Sequence, residues 1–106
     1  MKTRDRIVET ARELFNEEGA SRVTTNHIAA AMTISPGNLY YHFRDKEEII
    51  REIFARVVAD FDTLYRVPKD FSPTAAGFFG IFTRTCDLYY KYRFFYLELA
   101  TLLGRD

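Results

Sequence analysis

The stretch from Thr24 to Lys46, TTNHIAAAMTISPGNLYYHFRDK, constrains this chain more than any other. It reads as two short helices joined by a tight turn, followed by the start of a third. The first runs from Thr25 to about Met32, with Ile28 and Met32 four apart and so on one face. Thr24 suits its N-cap, because the hydroxyl accepts from a free N–H of the first turn. Thr33, Ile34 and Ser35 form the connector. Ser35 caps the second helix, and Pro36 stands at its first position, where a missing N–H costs nothing.

That second helix spans roughly Pro36 to Phe43. Leu39 and Phe43 are four apart and anchor it to a core, which leaves Asn38, Tyr40, Tyr41 and His42 pointing elsewhere. Each of these side chains can hydrogen-bond to a phosphate, and the tyrosine rings can also pack on sugars or thymine methyls. Two helices crossing steeply over a three- or four-residue turn form a helix-turn-helix, whose second helix enters the major groove with its N-terminal residues at the base edges.

The segment resembles the DNA-binding domain of the TetR family of bacterial transcriptional regulators. The resemblance is carried by Gly19, Thr24-Thr25, Ile28-Ala29, Ser35, Gly37, Leu39-Tyr40, His42-Phe43 and Lys46 at fixed spacing. One departure stands in the turn, where the family has Ala-Gly and this chain has Met32-Thr33. A positive φ there would strain a β-branched threonine by about 1 kcal/mol or more. The resemblance implies an all-α fold. Residues 1–46 would form a three-helix helix-turn-helix DNA-binding domain, and helix four, 46–66, would be a long linking helix. Residues 67–106 would begin an incomplete α-helical effector-binding and dimerisation domain, the chain being the N-terminal part of a longer regulator or a truncated one. It further implies DNA contact by Thr25, Ser35, Pro36, Gly37, Asn38, Tyr40, Tyr41, His42 and Lys46. Asn38 and Tyr41 are the candidates for the bases. Thr25, Ser35, Tyr40, His42 and Lys46 are those for the backbone, and Gly37 would permit close approach.

Composition adds limits. The chain is 47% hydrophobic and 16% aromatic, ample for a core in 106 residues, and fifteen basic residues balance fifteen acidic ones. A neutral total does not point to nucleic acid, but Arg22, Arg44 and Lys46 flank the motif while acidic residues gather at Glu13, Glu17, Glu18 and at Glu47, Glu48. Non-specific affinity should be modest and salt-dependent. The single cysteine, Cys86, excludes an internal disulfide and suits a reducing cytoplasm. The charged, amphipathic N-terminus is neither a signal peptide nor a membrane span. No Ser-His-Asp or Cys-His pairing, glycine-rich phosphate loop or ligand-spaced Cys/His set is present, so the sequence suggests no enzyme, no metal and no cofactor.

Periodicity supplies the remaining helices. Ile7, Val8, Ala11, Leu14 and Phe15 stripe a helix from Thr3 to about Glu18, which Gly19 stops. Lys2, Arg4 and Arg6 at its start either touch DNA backbone or are solvated. Asp45 and Glu48 read as a capping box for helix four, with Lys46 in its first turn, where a docked phosphate would suit both the amine and the free N–H groups. Ile49, Ile50, Ile53, Phe54, Val57, Val58, Phe61 and Leu64 give that helix too wide an apolar face for one-sided packing. It should end near Arg66, since Pro68 disfavours helix at Val67.

After a linker over 67–72, Ser72 and Pro73 read as the start of helix five, which carries Gly77 and Gly80 where another helix or a ligand must come close. A break near Tyr92 precedes a sixth helix from about Arg93 to Leu103, apolar through Phe94, Phe95, Leu97, Leu99, Leu102 and Leu103. The aromatic residues Tyr89, Tyr90, Tyr92 and Phe94–Tyr96 either form core, as an aromatic run at helical spacing more often does, or line an effector site. The resemblance also allows a small hydrophobic effector, with Phe82, Tyr89 and Phe95 as candidate contacts. It implies a repressor that binds a palindromic operator in double-stranded DNA as a homodimer and is released by that effector. The alternative is a helical small-molecule-binding or protein-interaction module without specific DNA binding.

Overall fold

The structure, a computed structural model, describes the backbone of residues 1–66 and 71–104, and the side chains of these except 101–103. It is all-α. The helices are α1 (Thr3–Glu18), α2 (Thr25–Met32), α3 (Pro36–His42), α4 (Lys46–Leu64), α5 (Ala75–Lys91) and α6 (Arg93–Leu103), with a short 3-10 turn at Ala20–Arg22. No strand occurs among the described residues, and none of the described helices is long and apolar enough to cross a membrane.

The stripe on α1 buries Ile7, Val8, Ala11 and Phe15, as its period requires. Gly19 stops the helix with φ 87°, a conformation that would strain a Cβ, and its N–H closes on the Phe15 carbonyl at 2.9 Å. The same core holds Ile28, Ala29 and Met32 of α2, Leu39 and Phe43 at α3, and Ile49, Ile53 and Val57 of α4. Leu39 and Phe43 are the two pins anticipated for the short helix. Leu39 is fully buried, which contributes about 1.5–3 kcal/mol relative to an exposed side chain.

The cap of α4 differs from a reciprocal capping box. Asp45 Oδ1 accepts from the Glu48 N–H at 2.9 Å, but the Glu48 carboxylate reaches the N–H of Arg44, one residue further out, at 3.3 Å. The helix closes at Leu64 with Tyr65 N–H on the Phe61 carbonyl, slightly before Arg66. The expected role of Val67 and Pro68 lies outside the described residues, as do the side chains of Leu102 and Leu103. The two sides of α4 are unequal. Ile49, Ile53 and Val57 are buried, while Phe54 and Val58 are half exposed.

The start of α5 corrects the sequence expectation. Thr74, not Ser72, is the N-cap: its hydroxyl accepts from Gly77 N–H at 3.2 Å, and Ala75 is the first helical residue. Ser72 instead turns the chain back, its carbonyl accepting from Thr74 N–H at 2.7 Å. That carbonyl lies over Gly77, where a Cβ would collide with it, so glycine here serves close approach of backbone. Gly80 has open space around it, and the close neighbour expected there is absent. Of the aromatic run, Tyr92 and Phe94 are buried in the core, whereas Tyr89 and Tyr90 are exposed. The expected break falls at Tyr92 (φ −115°, ψ 31°).

Candidate nucleic-acid interface

The turn between α2 and α3 is set by backbone bonds. Thr33 N–H donates to the Ala30 carbonyl at 3.1 Å and Ile34 N–H to that of Ala29 at 3.0 Å, the paired pattern that ends a helix through a left-handed residue. That residue is Thr33, at φ 58° and ψ 42°, the sole non-glycine with positive φ among the described residues. The departure Met32-Thr33 therefore leaves the turn intact and stores the strain of a β-branched side chain.

Caps fix both helix starts. Thr24 Oγ1 accepts from His27 N–H and Ser35 Oγ from Asn38 N–H, each at 3.1 Å, with Pro36 at the first position of α3. With Leu39 and Phe43 turned inward, the rest of α3 faces outward. Pro36, Gly37, Asn38, Tyr40 and Tyr41 are exposed, as is Ser35, and Tyr41 most of all at 85%. A Cβ at Gly37 would come no nearer than 4.0 Å to Ser35 Oγ, so nothing inside the protein demands glycine there. Thr25 and Tyr40 meet hydroxyl to hydroxyl at 2.8 Å, and the Tyr41 and His42 rings lie edge to face at 5.1 Å. The segment from Val23 to Phe43 contains no Lys, Arg, Asp or Glu.

Two cations have partners that the sequence did not disclose. Arg4, open to either reading, lies over the Phe43 ring at 4.2 Å and donates to the His42 carbonyl at 2.9 Å, holding the end of α3. Lys46 Nζ donates to the carbonyls of Ala20 and Val23 at 2.7 and 3.1 Å. Two of its three N–H groups thus hold the turn before α2, leaving one for a phosphate. Arg44 is exposed and lies 3.6 Å from Asp45 and 4.0 Å from Glu48, while Lys2, Arg6 and Arg22 are exposed. No local pattern marks these arrangements; only the folded chain brings residues 4 and 43, or 46 and 20, together.

The candidate effector residues are dispersed. Phe95 stacks on Phe54 at 5.5 Å, Tyr89 packs against Phe61 and Tyr96 at 5.6 and 4.7 Å, and Phe82 is exposed. None of the three lines the open cleft of about 380 Å³ between α4 and α5, which is bordered by Asp60, Thr63, Leu64, Arg84, Asp87, Leu88 and Lys91. His27 Nε2 stands 3.5 Å from the Glu18 carboxylate, and Cys86 is exposed.

A capped, pinned pair of short helices with an uncharged outer edge, carried on α1 and α4, defines a helix-turn-helix protein. Residues 7–53 match the family model described as bacterial regulatory proteins, tetR family. The HTH-type transcriptional regulator SAB2452 of Staphylococcus aureus is 37% identical over 70 residues, which are 66% of this chain and 38% of that protein. A crystal structure of a TetR-family transcriptional regulator from Marinobacter aquaeolei VT8 superposes with TM-score 0.87 at 45% identity, over 100% of this chain and 52% of that one. A transcriptional regulator (TerR/AcrR family) from Aquifex aeolicus VF5 gives TM-score 0.64 at 28% identity, over 92% and 64%. The chain belongs to the TetR family. It spans about two fifths of the length of the curated relative and about half of the Marinobacter chain.

Proposed function

We propose that this chain is the DNA-reading part of a transcriptional repressor. As a homodimer it places α3 of each copy in successive major grooves of a palindromic operator. A small hydrophobic effector, covering apolar surface such as Phe82, Tyr89 and Phe95, shifts the population toward a spacing that no longer fits the operator. In this proposal residues 1–46 form the DNA-binding domain, α4 links, and residues from 67 onward begin the effector-binding and dimerisation domain. The site of action is the cytoplasm.

The observation that carries this reading is the outer edge of α3. Asn38 and Tyr41 stand exposed on a helix whose other face is fully pinned. Asn38 suits adenine, by its amide against N6 and N7, and Tyr41 suits a thymine methyl. Thr25, Ser35, Pro36, Tyr40 and His42 border the backbone, Gly37 admits it closely, and Lys46 offers its remaining N–H. The edge itself is uncharged, and the exposed cations Lys2, Arg6, Arg22 and Arg44 lie outside it in sequence, so counterion release adds a salt-dependent part to a modest affinity.

Mobility-shift and footprinting assays on the DNA flanking the chain's own gene test this. Asn38→Ala and Tyr41→Ala are each expected to reduce discrimination by about 1–3 kcal/mol, while stability stays within about 0.5 kcal/mol, as for exposed positions generally. Binding without sequence preference at any salt concentration would refute the reading. Tight binding of a hydrophobic ligand with no DNA binding at all would favour the ligand-binding module, a possibility to which the exposed rings of α5 lend weight.

A further inference from the structure

The break between α5 and α6 has no cause in its own sequence. Breaks in a helix normally trace to proline, to glycine or serine pairs, or to a side chain entering the backbone ladder. Leu88–Phe95, LYYKYRFF, contains no proline, glycine or serine. A continuous helix would join Phe94 N–H to the Tyr90 carbonyl and Phe95 N–H to that of Lys91. All four groups have other partners. Phe94 N–H donates to Asn16 Oδ1 at 3.0 Å, and the Lys91 carbonyl accepts from Asn16 Nδ2 at 2.7 Å and Arg12 Nη1 at 3.1 Å. The Tyr90 carbonyl accepts from Arg93 Nη1 at 3.1 Å, and Phe95 N–H turns to the Tyr92 carbonyl at 3.0 Å. One amide, Asn16, thus takes a group from each of these two bonds of a continuous helix.

We infer that Asn16, seconded by Arg12, is a positioning residue that imposes this break from α1 and so ties the orientation of the helix-turn-helix to the angle between α5 and α6. The four freed backbone groups must be satisfied somewhere. In the break they are satisfied by Asn16, Arg12, Arg93 and the Tyr92 carbonyl, three of the bonds coming from Asn16 and Arg12; in a continuous helix they would satisfy one another and α1 would be released. Those are two discrete arrangements of one element, which is what a coupling device requires. Asp60 of α4 holds the same point from the other side, accepting from the Tyr92 hydroxyl at 2.5 Å.

Spin labels on the whole chain read this without DNA. One sits on the native thiol of Cys86, exposed on α5; the other is introduced by Ala100→Cys on α6 or Ala30→Cys on α2, both exposed positions. The otherwise unaltered chain is expected to give a narrow distance distribution in each pair. Asn16→Leu is expected to lengthen the 86–100 distance as the helices run straight, and to shift or broaden the 86–30 distance with it. Amide exchange at Phe94 should accelerate by about tenfold or more, with exchange in α2 and α3 unchanged. An 86–100 change without an 86–30 change would overturn the coupling, and no change in either would overturn the whole inference.

Should Asn16→Leu fail to fold, the unmodified chain decides. Slow exchange of the Asn16 side-chain amide and of Phe94 N–H supports the inference, and exchange of both at the unprotected rate overturns it. Naming α2 and α3 as DNA-reading helices rests on the function proposed above. The labels report geometry alone, so a protein that binds no DNA leaves this test intact.

Discussion

The hydroxyls of Tyr40 and Thr25 lie 2.8 Å apart, joining the outer edge of α3 to the first residue of α2. The bond crosses the turn at the surface, so water competes for it, and its worth to folding is small. In the proposed function it would matter more to recognition, because it orients two groups proposed to border the DNA backbone. Tyr40→Phe is expected to lower stability by less than about 1 kcal/mol while weakening operator binding several-fold. Urea unfolding and a mobility-shift titration on the same variant separate the two effects.

Lys46 is expected to matter to the fold itself. Lys46→Met keeps the apolar stem and removes the amine from the Ala20 and Val23 carbonyls. Charge-assisted bonds at a half-buried site suggest a loss of about 1–2 kcal/mol, read as a lower urea midpoint at constant slope. An unchanged midpoint would mean that these carbonyls are equally well served by water.

Thr33 is a site for gain. At φ 58° a β-branched residue is strained, and glycine there removes the strain at some cost in unfolded-chain entropy. Thr33→Gly should stabilise the chain by about 0.5–1 kcal/mol, seen as a higher melting temperature. A lower one would show that the threonine side chain makes up for its backbone.

Alkaline pH should unfold the chain through Tyr92. Burial, then the bond to Asp60, raises its phenol well above the ordinary range. The fold favours the neutral phenol, so this stability is fully present below about pH 10, the value for a free tyrosine, and drains away as pH rises beyond it. Tyr96 is raised in the same direction, chiefly by burial. Tyr92→Phe should flatten the decline in stability above about pH 10. The phenolate absorbance of the unaltered chain should show a late-titrating step that this variant lacks.

Much of this was legible from sequence because it is local. Ile28 with Met32, Leu39 with Phe43, the caps Thr24 and Ser35, and Pro36 all act within one helical turn of their partners, and period and spacing expose them. The misplaced start of α5 shows the limit of such reasoning. Ser72-Pro73 reads as a helix start, but Thr74 holds the cap and the Ser72 carbonyl folds back over Gly77, a close approach that spacing does not reveal. What stayed hidden is the long-range polar work of Arg4, Asn16 and Lys46. Each is a polar side chain on an unremarkable helix face, and its carbonyl partner carries no signature in the residue that owns it.

Phe78, Phe79 and Phe82 stand in water along one side of α5. In the test tube that side will behave like a strip of oil. Environment-sensitive dyes should light up on the fully folded chain, and turbidity should rise with warming before helicity is lost. A bright dye signal from this protein is therefore no sign that it has melted.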